Sequence, residues 1–487
     1  MPNTFAYLVL FLWPIVALIA LWRRPLPEAI AWAIIAGYLL LPSLRPGAAL
    51  DPPLLPAYDK DLAASLAAIL LIMARGGRLG PNDAGNSDGL APVLRGWLPR
   101  QRWVRAALLG IIGGSFLTAL ANTDPLVYGP TVLPGITTYD AFSVVINSCV
   151  PLIPFILGWK YLGNPQGQRV LLTVLAVAAA FYMLPTLFEV RMSPQLSNWI
   201  YGFFPHSFAQ HMRAGGFRPV VFLHHGLWLG QFLAVGLLAA IGLSKLTNSR
   251  SRLRYALIAA ALLVTLWLSK NLGALMLALA FAPVILFRHA RGQLLVAAIV
   301  ASLVMTFPAL RASGLIPVEQ FANAIEGVSP ERADSFRFRV ANENAMLDKA
   351  ALRPLLGWGS WGRWRVYDDE GRDVTVSDGI WIITLAEGGW LRYVSLFALL
   401  GVPTLLAARR SRRLELDRSS ATIAVLLAVN MLDLVPNGSL TPLTWLLAGS
   451  LAGRLELSSP SRGASPGPTG SGKAAASSKE RLNRSIA

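Results

Sequence analysis

The sequence predicts an all-α polytopic integral membrane protein, a bundle of about 12–13 transmembrane helices with one large exterior loop between the tenth and the eleventh. Three observations carry this reading. Hydrophobic residues make up 54% of the 487 and charged residues only 14%, too little polar surface for a water-soluble chain of this size. The apolar residues come in continuous runs such as Phe5 to Leu21 and Val220 to Leu243. Each run is close to the ~20 residues that cross a hydrocarbon core, and none shows the alternation of a barrel strand. Finally, basic residues gather in alternate connections between the runs, which is how orientation is encoded in membranes.

Taken in order, the runs give spans near 4–21, 27–44, 62–74, 106–122, 139–159, 169–187, 220–243, 255–268, 272–287, 294–309, 380–406, 420–435 and 440–453. No basic residue precedes the first, which therefore reads as a retained helix rather than a cleaved signal. The third is short enough to be re-entrant, and the last two flank Asn437-Gly438 as a tight hairpin. The chain divides into a bundle over 1–309 with an exterior loop 188–219, a large exterior loop 310–379, C-terminal spans over 380–457, and a tail 458–487. The tail is rich in Ser, Gly, Pro and Ala and is expected to be a disordered cytoplasmic segment.

The net charge of +17 raises the question of a nucleic-acid partner, but its distribution excludes one. Arg23 and Arg24 lie in the first connection; Arg75, Arg78, Arg95, Arg100, Arg102 and Arg105 in the third; Lys160 and Arg169 in the fifth. Lys245, Arg250, Arg252 and Arg254 follow in the seventh, Arg288 and Arg291 in the ninth, and Arg409, Arg410, Arg412 and Arg413 in the eleventh. Connection 123–138 has Asp124 and no lysine or arginine, while Lys270 in the eighth is an exception. The positive-inside rule then sets the N-terminus outside and the C-terminus inside. Cys149 is the only cysteine, so no intrachain disulfide can form.

Two glycine-rich stretches imitate nucleotide sites. Gly467 to Lys473 has the spacing of a phosphate loop, but Ala474 stands where magnesium needs a hydroxyl. Gly357-Trp-Gly359-Ser-Trp-Gly362 lacks a preceding strand and reads as a tight turn in the large loop.

The candidate chemistry lies in the exterior segments. Four of the five histidines, His206, His211, His224 and His225, fall within twenty residues of one another beside Arg213 and Arg218. Arginine on the outer face runs against the orientation rule and suits an anionic group at the membrane surface, whose oxygens planar guanidinium donors match in pairs. If His224 and His225 open the seventh helix they point about 100° apart, so they do not face one site. No His, Cys, Asp or Glu set has zinc-ligand spacing, and no cofactor is expected. The large loop carries Arg337, Arg339, Arg353, Arg363 and Arg365 with Trp358, Trp361 and Trp364, a platform for stacking sugar rings. Asp378 precedes the eleventh helix, as a helix cap or a base. Glu387 and Arg392 follow within it, too far apart along a continuous helix for a good direct pair.

In order and placement these segments resemble the O-antigen ligase and O-antigen polymerase superfamily of bacterial polytopic membrane glycosyltransferases. The resemblance rests on Arg213-Ala-Gly-Gly216-Phe217, Arg337 and Arg339 in a single large loop, Arg353-Pro354-Leu-Leu-Gly357-Trp-Gly359, and Asp378 to Trp381 with Glu387 and Gly389. It spans roughly 188–450. Ligases of the family carry a histidine near Ser377-Asp378; none occurs in 310–379, and an aspartate there is similar to the polymerase branch. The resemblance implies metal-independent transfer of a glycan from a polyprenyl-diphosphate carrier to a saccharide hydroxyl or to lipid A–core, at the outer face of a bacterial inner membrane. Membrane lipids and other polysaccharide-assembly proteins are the implied partners. Arg213, Arg218, Arg337, Arg339 and Glu387 are then expected to bind substrate, and Asp378, His224 or His225 to act as base. The alternative is a transporter or flippase for an anionic lipid-linked or small solute, which would place polar groups on broken helices at the midplane.

The orientation is directly testable. With Cys149 replaced by Ser, a cysteine at position 345 is expected to react with a membrane-impermeant thiol reagent in intact cells, and one at 411 is not; the reverse pattern inverts the topology.

Overall fold

A computed structural model describes residues 1–44, 49–52, 55–76, 94, 96–213, 215–327, 330–376, 378–414 and 416–458. Arg78, Arg95 and the Gly467–Lys473 stretch lie outside the described residues, as does all of the tail beyond 458. The chain opens with α1 (Thr4–Leu21), α2 (Leu26–Leu40), α3 (Lys60–Ala74) and α4 (Arg102–Leu120). A small hairpin, β1 (Leu126–Tyr128) with β2 (Thr131–Leu133), leads to α5 (Thr138–Cys149), α6 (Leu152–Tyr161) and α7 (Pro165–Met192). A connector holds α8 (Leu196–Tyr201) and the ribbon β3 (Met212–Arg213) with β4 (Gly216–Phe217). Then come α9 (Gly226–Ser244), α10 (Ser249–Leu268), α11 (Leu272–Phe287) and α12 (Ala290–Ala312). A cap over 313–379 contains α13 (Val318–Glu326) and α14 (Pro330–Leu352), and α15 (Ile380–Arg410), α16 (Arg418–Asp433) and α17 (Pro442–Leu457) close the bundle.

Local chemistry sets these boundaries. Asn3, Asp59, Asn164, Asn248 and Asp417 each accept a backbone N–H from the first turn of the helix that follows, and Thr137 with Asp140 forms a capping box on α5. The span expected over 139–159 stands as one candidate crossing, Thr138–Tyr161, built of two helices because Pro151 has no N–H with which to continue α5. The break lets α6 run tightly along α17, where Gly449 and Gly453 lie directly on the Phe155 and Trp159 carbonyls.

Eight helices among the described residues are long and apolar enough to cross a membrane, and the apolar α2 and α11 are shorter. The bundle also has the surface of a multi-pass membrane protein. α9 is 89% buried over its apolar window while α1 is only 17% buried, so α9 is central and α1 peripheral. The outward face of α1 presents Phe5, Leu8, Phe11, Ile15 and Ile19, a continuous apolar stripe that suits lipid rather than water.

Contacts sort the helix termini into two ends. At one, Arg75 donates to Leu21 and Arg24 carbonyls, Lys160 to Gly96, and Trp159 Nε1 to Glu456, while Ser420 donates to Gln168. This end gathers the first, third and fifth connections, three of those that the charge pattern singles out. At the opposite end Tyr182 and Tyr201 donate to Leu39 and Leu40, Ser43 to Phe222, and Arg353 to Asp124 beneath the cap.

The cap is joined to the bundle by a broken helix. At Gly389 (φ 64°, ψ −168°) α15 leaves helical geometry. A continuous helix would bond Trp390 N to Ala386 O and Leu391 N to Glu387 O. Here all four groups turn to the segment 354–359. Trp358 N and Gly359 N donate to Ala386 O and Glu387 O at 2.9 and 2.8 Å, and Trp390 N and Leu391 N donate to Pro354 O and Leu355 O at 2.8 and 3.2 Å. Each such group left bare in hydrocarbon costs several kcal/mol, so an uncompensated break would consume much of the ~5–15 kcal/mol by which proteins are stable. The approach demands glycine on both sides. A β-carbon at Gly389 would collide with the Leu355 carbonyl, one at Gly357 (φ 65°) would stand 2.6 Å from the Glu387 carbonyl, and both backbones are left-handed.

Gly389→Ala is therefore expected to lower the thermal midpoint in detergent sharply, by at least ~2 kcal/mol of stability, from strain and collision together. Gly113→Ala, in a helix interior with open space around it, is the control and should be neutral or stabilising. Equal midpoints for the two variants would mean that the break is not needed.

Candidate functional site

Polar side chains concentrate at the cap end, in two separate places. The first lies around the connector 193–225. Glu189, buried near the end of α7, accepts Leu196 N at 3.0 Å through one oxygen and Val220 N and Val221 N at 2.8 and 2.7 Å through the other. One carboxylate thus holds both ends of the connector. Within it the imidazole of His206 lies edge-on to those of His211, His224 and His225, with ring centres 5.9, 5.7 and 4.8 Å away, and His211 is 4.7 Å from His225. The aliphatic part of Arg218 lies across Gly226 at the start of α9, and Lys270 reaches Gly216 from the α10–α11 turn. Arg213 pairs through its backbone with Gly216 on the same ribbon.

The expectation that His224 and His225 face apart does not hold, because neither is inside α9. The helix starts at Gly226 and His225 is its cap, with extended backbone, so His206 contacts both. The hydrogen bonds also fix two tautomers. His211 Nδ1 lies 2.9 Å from Ser207 O and its Nε2 accepts Gly226 N at 3.3 Å, so the proton is on Nδ1. His225 Nδ1 accepts Leu227 N at 3.1 Å, so neutral His225 carries its proton on Nε2 and is a donor there rather than a base. Burial, and the positive potential of His211, His206, Arg218 and His224, push His225 down to about 3. Among the described residues no group of three His, Cys, Asp or Glu side chains is arranged to hold a metal ion.

The second place lies where the broken helix meets the cap. Glu387 and Arg392, expected not to pair, form an ion pair at 3.0 Å, because the break at Gly389 removes the helical geometry that would have turned them apart. Ser360 Oγ donates to Glu387 at 2.6 Å. The pair lines a cavity of about 270 Å³ with Trp361, with Asn147 and Ser148 of α5, and with Trp445 of α17. Above it, Arg353 donates to Asn122 at 2.5 Å and to both oxygens of Asp124 at 3.3 and 2.8 Å. Arg363, 1% exposed, donates to Pro134 O at 2.8 Å and lies 3.5 Å from Asp124. The hydrogen bond from Arg353 holds the Asp124 carboxyl below its ordinary range. The glycine-rich stretch 357–362 is a turn, with Gly357, Gly359, Trp361 and Gly362 all left-handed.

The other expected residues lie in the cap. Asp378 does not cap α15, whose capping residue is Gly379 without a side-chain bond; it pairs with Arg339 at 3.3 Å. Arg337 joins α13 to α14 through Glu326 at 2.5 Å and Asn323 at 3.0 Å, a structural clasp. The acidic run Asp368 to Glu370 is a solvated turn in which Arg372 bridges Asp368 and Glu370. Sequence reading gave Asn122, Asp124, Ser360 and Lys349 no site role, and their partners lie too far along the chain for spacing to show. Lys349 is enclosed by the rings of Tyr128, Trp358 and Tyr367 at 5.0, 5.2 and 5.7 Å, and donates to Tyr128 Oη at 3.0 Å and to Arg365 O.

No protein-family model matches the chain, and no curated protein matches it.

Lys349 gives a pH signature. Burial, reinforced by the nearby Arg363 charge, lowers its ammonium to about 8. Above that pH the folded chain has released a proton that the unfolded chain keeps until ~10.4, so the unfolded state binds more protons and stability rises with pH. The thermal midpoint of the wild type is expected to gain an upward component between pH 8 and 9.5 that Lys349→Met lacks. Parallel profiles would show that the lysine stays charged within its aromatic enclosure.

Proposed function

We propose that the protein is a multi-pass glycosyltransferase of surface-polysaccharide assembly, with thirteen crossings, the N-terminus and the cap outside a bacterial inner membrane, and the basic end in the cytoplasm. It moves a glycan from a polyprenyl-diphosphate carrier to a saccharide hydroxyl. The observation that carries this reading is the gathering of Arg218, Lys270 and four imidazoles around the ribbon and the start of α9. Cations at that end run against the positive-inside rule, which supports an anionic substrate group there. A diphosphate at head-group depth suits it.

In the proposed reaction the acceptor oxygen bonds to the anomeric carbon as the bond from that carbon to the diphosphate breaks. The electron pair leaves with the diphosphate and the hydroxyl proton passes to a base. Guanidinium, ammonium and the Nε2–H of His225 stabilise the developing charge. His224 and Asp378 remain the candidate bases, Asp378 being held by Arg339. The transporter alternative would draw on ionisable groups inside the bundle. Buried Lys60 donates to Tyr38 O and Ser43 Oγ at 2.9 and 2.8 Å, and Asp59 caps α3, ties that suit a structural role.

The test is deletion of the gene with analysis of surface polysaccharide, followed by complementation. Loss of long chains with single units still attached to lipid A–core marks a polymerase, and carrier-linked polymer with bare core marks a ligase. Unchanged polysaccharide removes the proposal. Arg218→Lys, at equal membrane levels, is expected to lose at least ~10-fold in chain formation, since a point charge does not reproduce paired planar donation. Full rescue by lysine would reduce the residue to a generic surface charge.

A further inference from the structure

The cavity under the broken helix differs in kind from the cationic cluster. Its ionised lining residues, Glu387 and Arg392, neutralise one another at 3.0 Å, so an anion gains no net attraction there. What the pair offers is acceptors and donors at close quarters, joined by Ser360, Asn147 and Ser148. A carboxylate and a guanidinium side by side can take both roles of a hydroxyl group, its lone pairs and its proton.

Aromatic surface accompanies the polar groups. Trp361 lines the cavity, is 55% exposed, and is held with φ 54°, a backbone conformation that a bulky residue adopts only where its surroundings impose it. Trp445 lines it from α17. The cavity, about 270 Å³, falls just below the ~300–1,000 Å³ of drug-sized pockets and suits one small ring.

We propose that this cavity is a saccharide-binding site for a single uncharged, hydroxyl-rich ring, with Glu387 and Arg392 bonding its hydroxyls and Trp361 covering its C–H face. The site goes beyond the transfer reading, because it would hold a sugar whether or not the protein transfers one.

The experiment is saturation-transfer NMR on the full-length protein in lipid nanodiscs, with glucose, galactose, mannose and N-acetylglucosamine as probes. The wild type is expected to saturate ring protons of at least one of them. Asn147→Trp fills the cavity and removes only bonds to Ser143 within its own helix, so the fold should survive. It is expected to weaken the bound sugar about tenfold, and Trp361→Ala by a similar factor. Silence of all four sugars with wild type, or undiminished signal in Asn147→Trp, overturns the proposal and leaves the transfer reading standing. Conversely, an unchanged surface polysaccharide after gene deletion removes the transfer reading and leaves a saturating sugar unexplained by anything but this site.

Discussion

The exchange of backbone hydrogen bonds between 354–359 and 386–391 is the constraint on which the cap end of the molecule depends. A helix broken within a bundle exposes two carbonyls and two N–H groups with no water to receive them. Here the cap's own chain takes all four, so the cap and the bundle form one hydrogen-bonded unit. The break then pairs Glu387 with Arg392, places Ser360 on that pair, and opens the cavity between α5, α15 and α17. Thr118 and Asn122 fasten the same segment to α4 by donating to Leu356 O and Gly357 O at 2.7 and 3.1 Å.

Much of the architecture was legible because hydrophobic run length is a one-dimensional signal. The apolar runs and basic connections can be counted along the chain, and the helix ends fall close to where capping residues and prolines put them. The site was legible only in part. Glu387, Arg392 and the paired histidines stand out as costly residues at membrane depth, yet spacing along an unbroken helix does not give their geometry. Glu387-Gly-Gly389 contains the signal for the break, but glycines alone do not say what will satisfy the freed backbone. That answer lies some thirty residues upstream, at Pro354 to Gly359. Likewise Arg353 finds Asp124 across more than two hundred residues, and only the packing of α4 against α15 brings them together.

The two polar regions differ in electrostatic character, and the difference follows from their builders. Around α9 the helix start is capped by imidazoles instead of the usual carboxylate or hydroxyl, so two backbone donors are met without adding negative charge. Burial first, and then the neighbouring imidazoles and Arg218, disfavour protonation of His225. Beneath the cap Arg392 pairs with Glu387, and Arg353 and Arg363 share the carboxylate of Asp124.

The broken helix also bears on how the chain enters a bilayer. The stretch from Trp390 to Arg410 is a helical length of ~31 Å, enough to cross the hydrocarbon core unaided, whereas Ile380 to Gly388 is far too short. Membrane insertion of this region can therefore be driven by the later half, with the first turns left near the surface until they meet their partners. Those partners lie on chain synthesised earlier, so the backbone groups freed at the break meet a complement that already exists, and closing the seam between 354–359 and 386–391 joins the first half of α15 to the bundle.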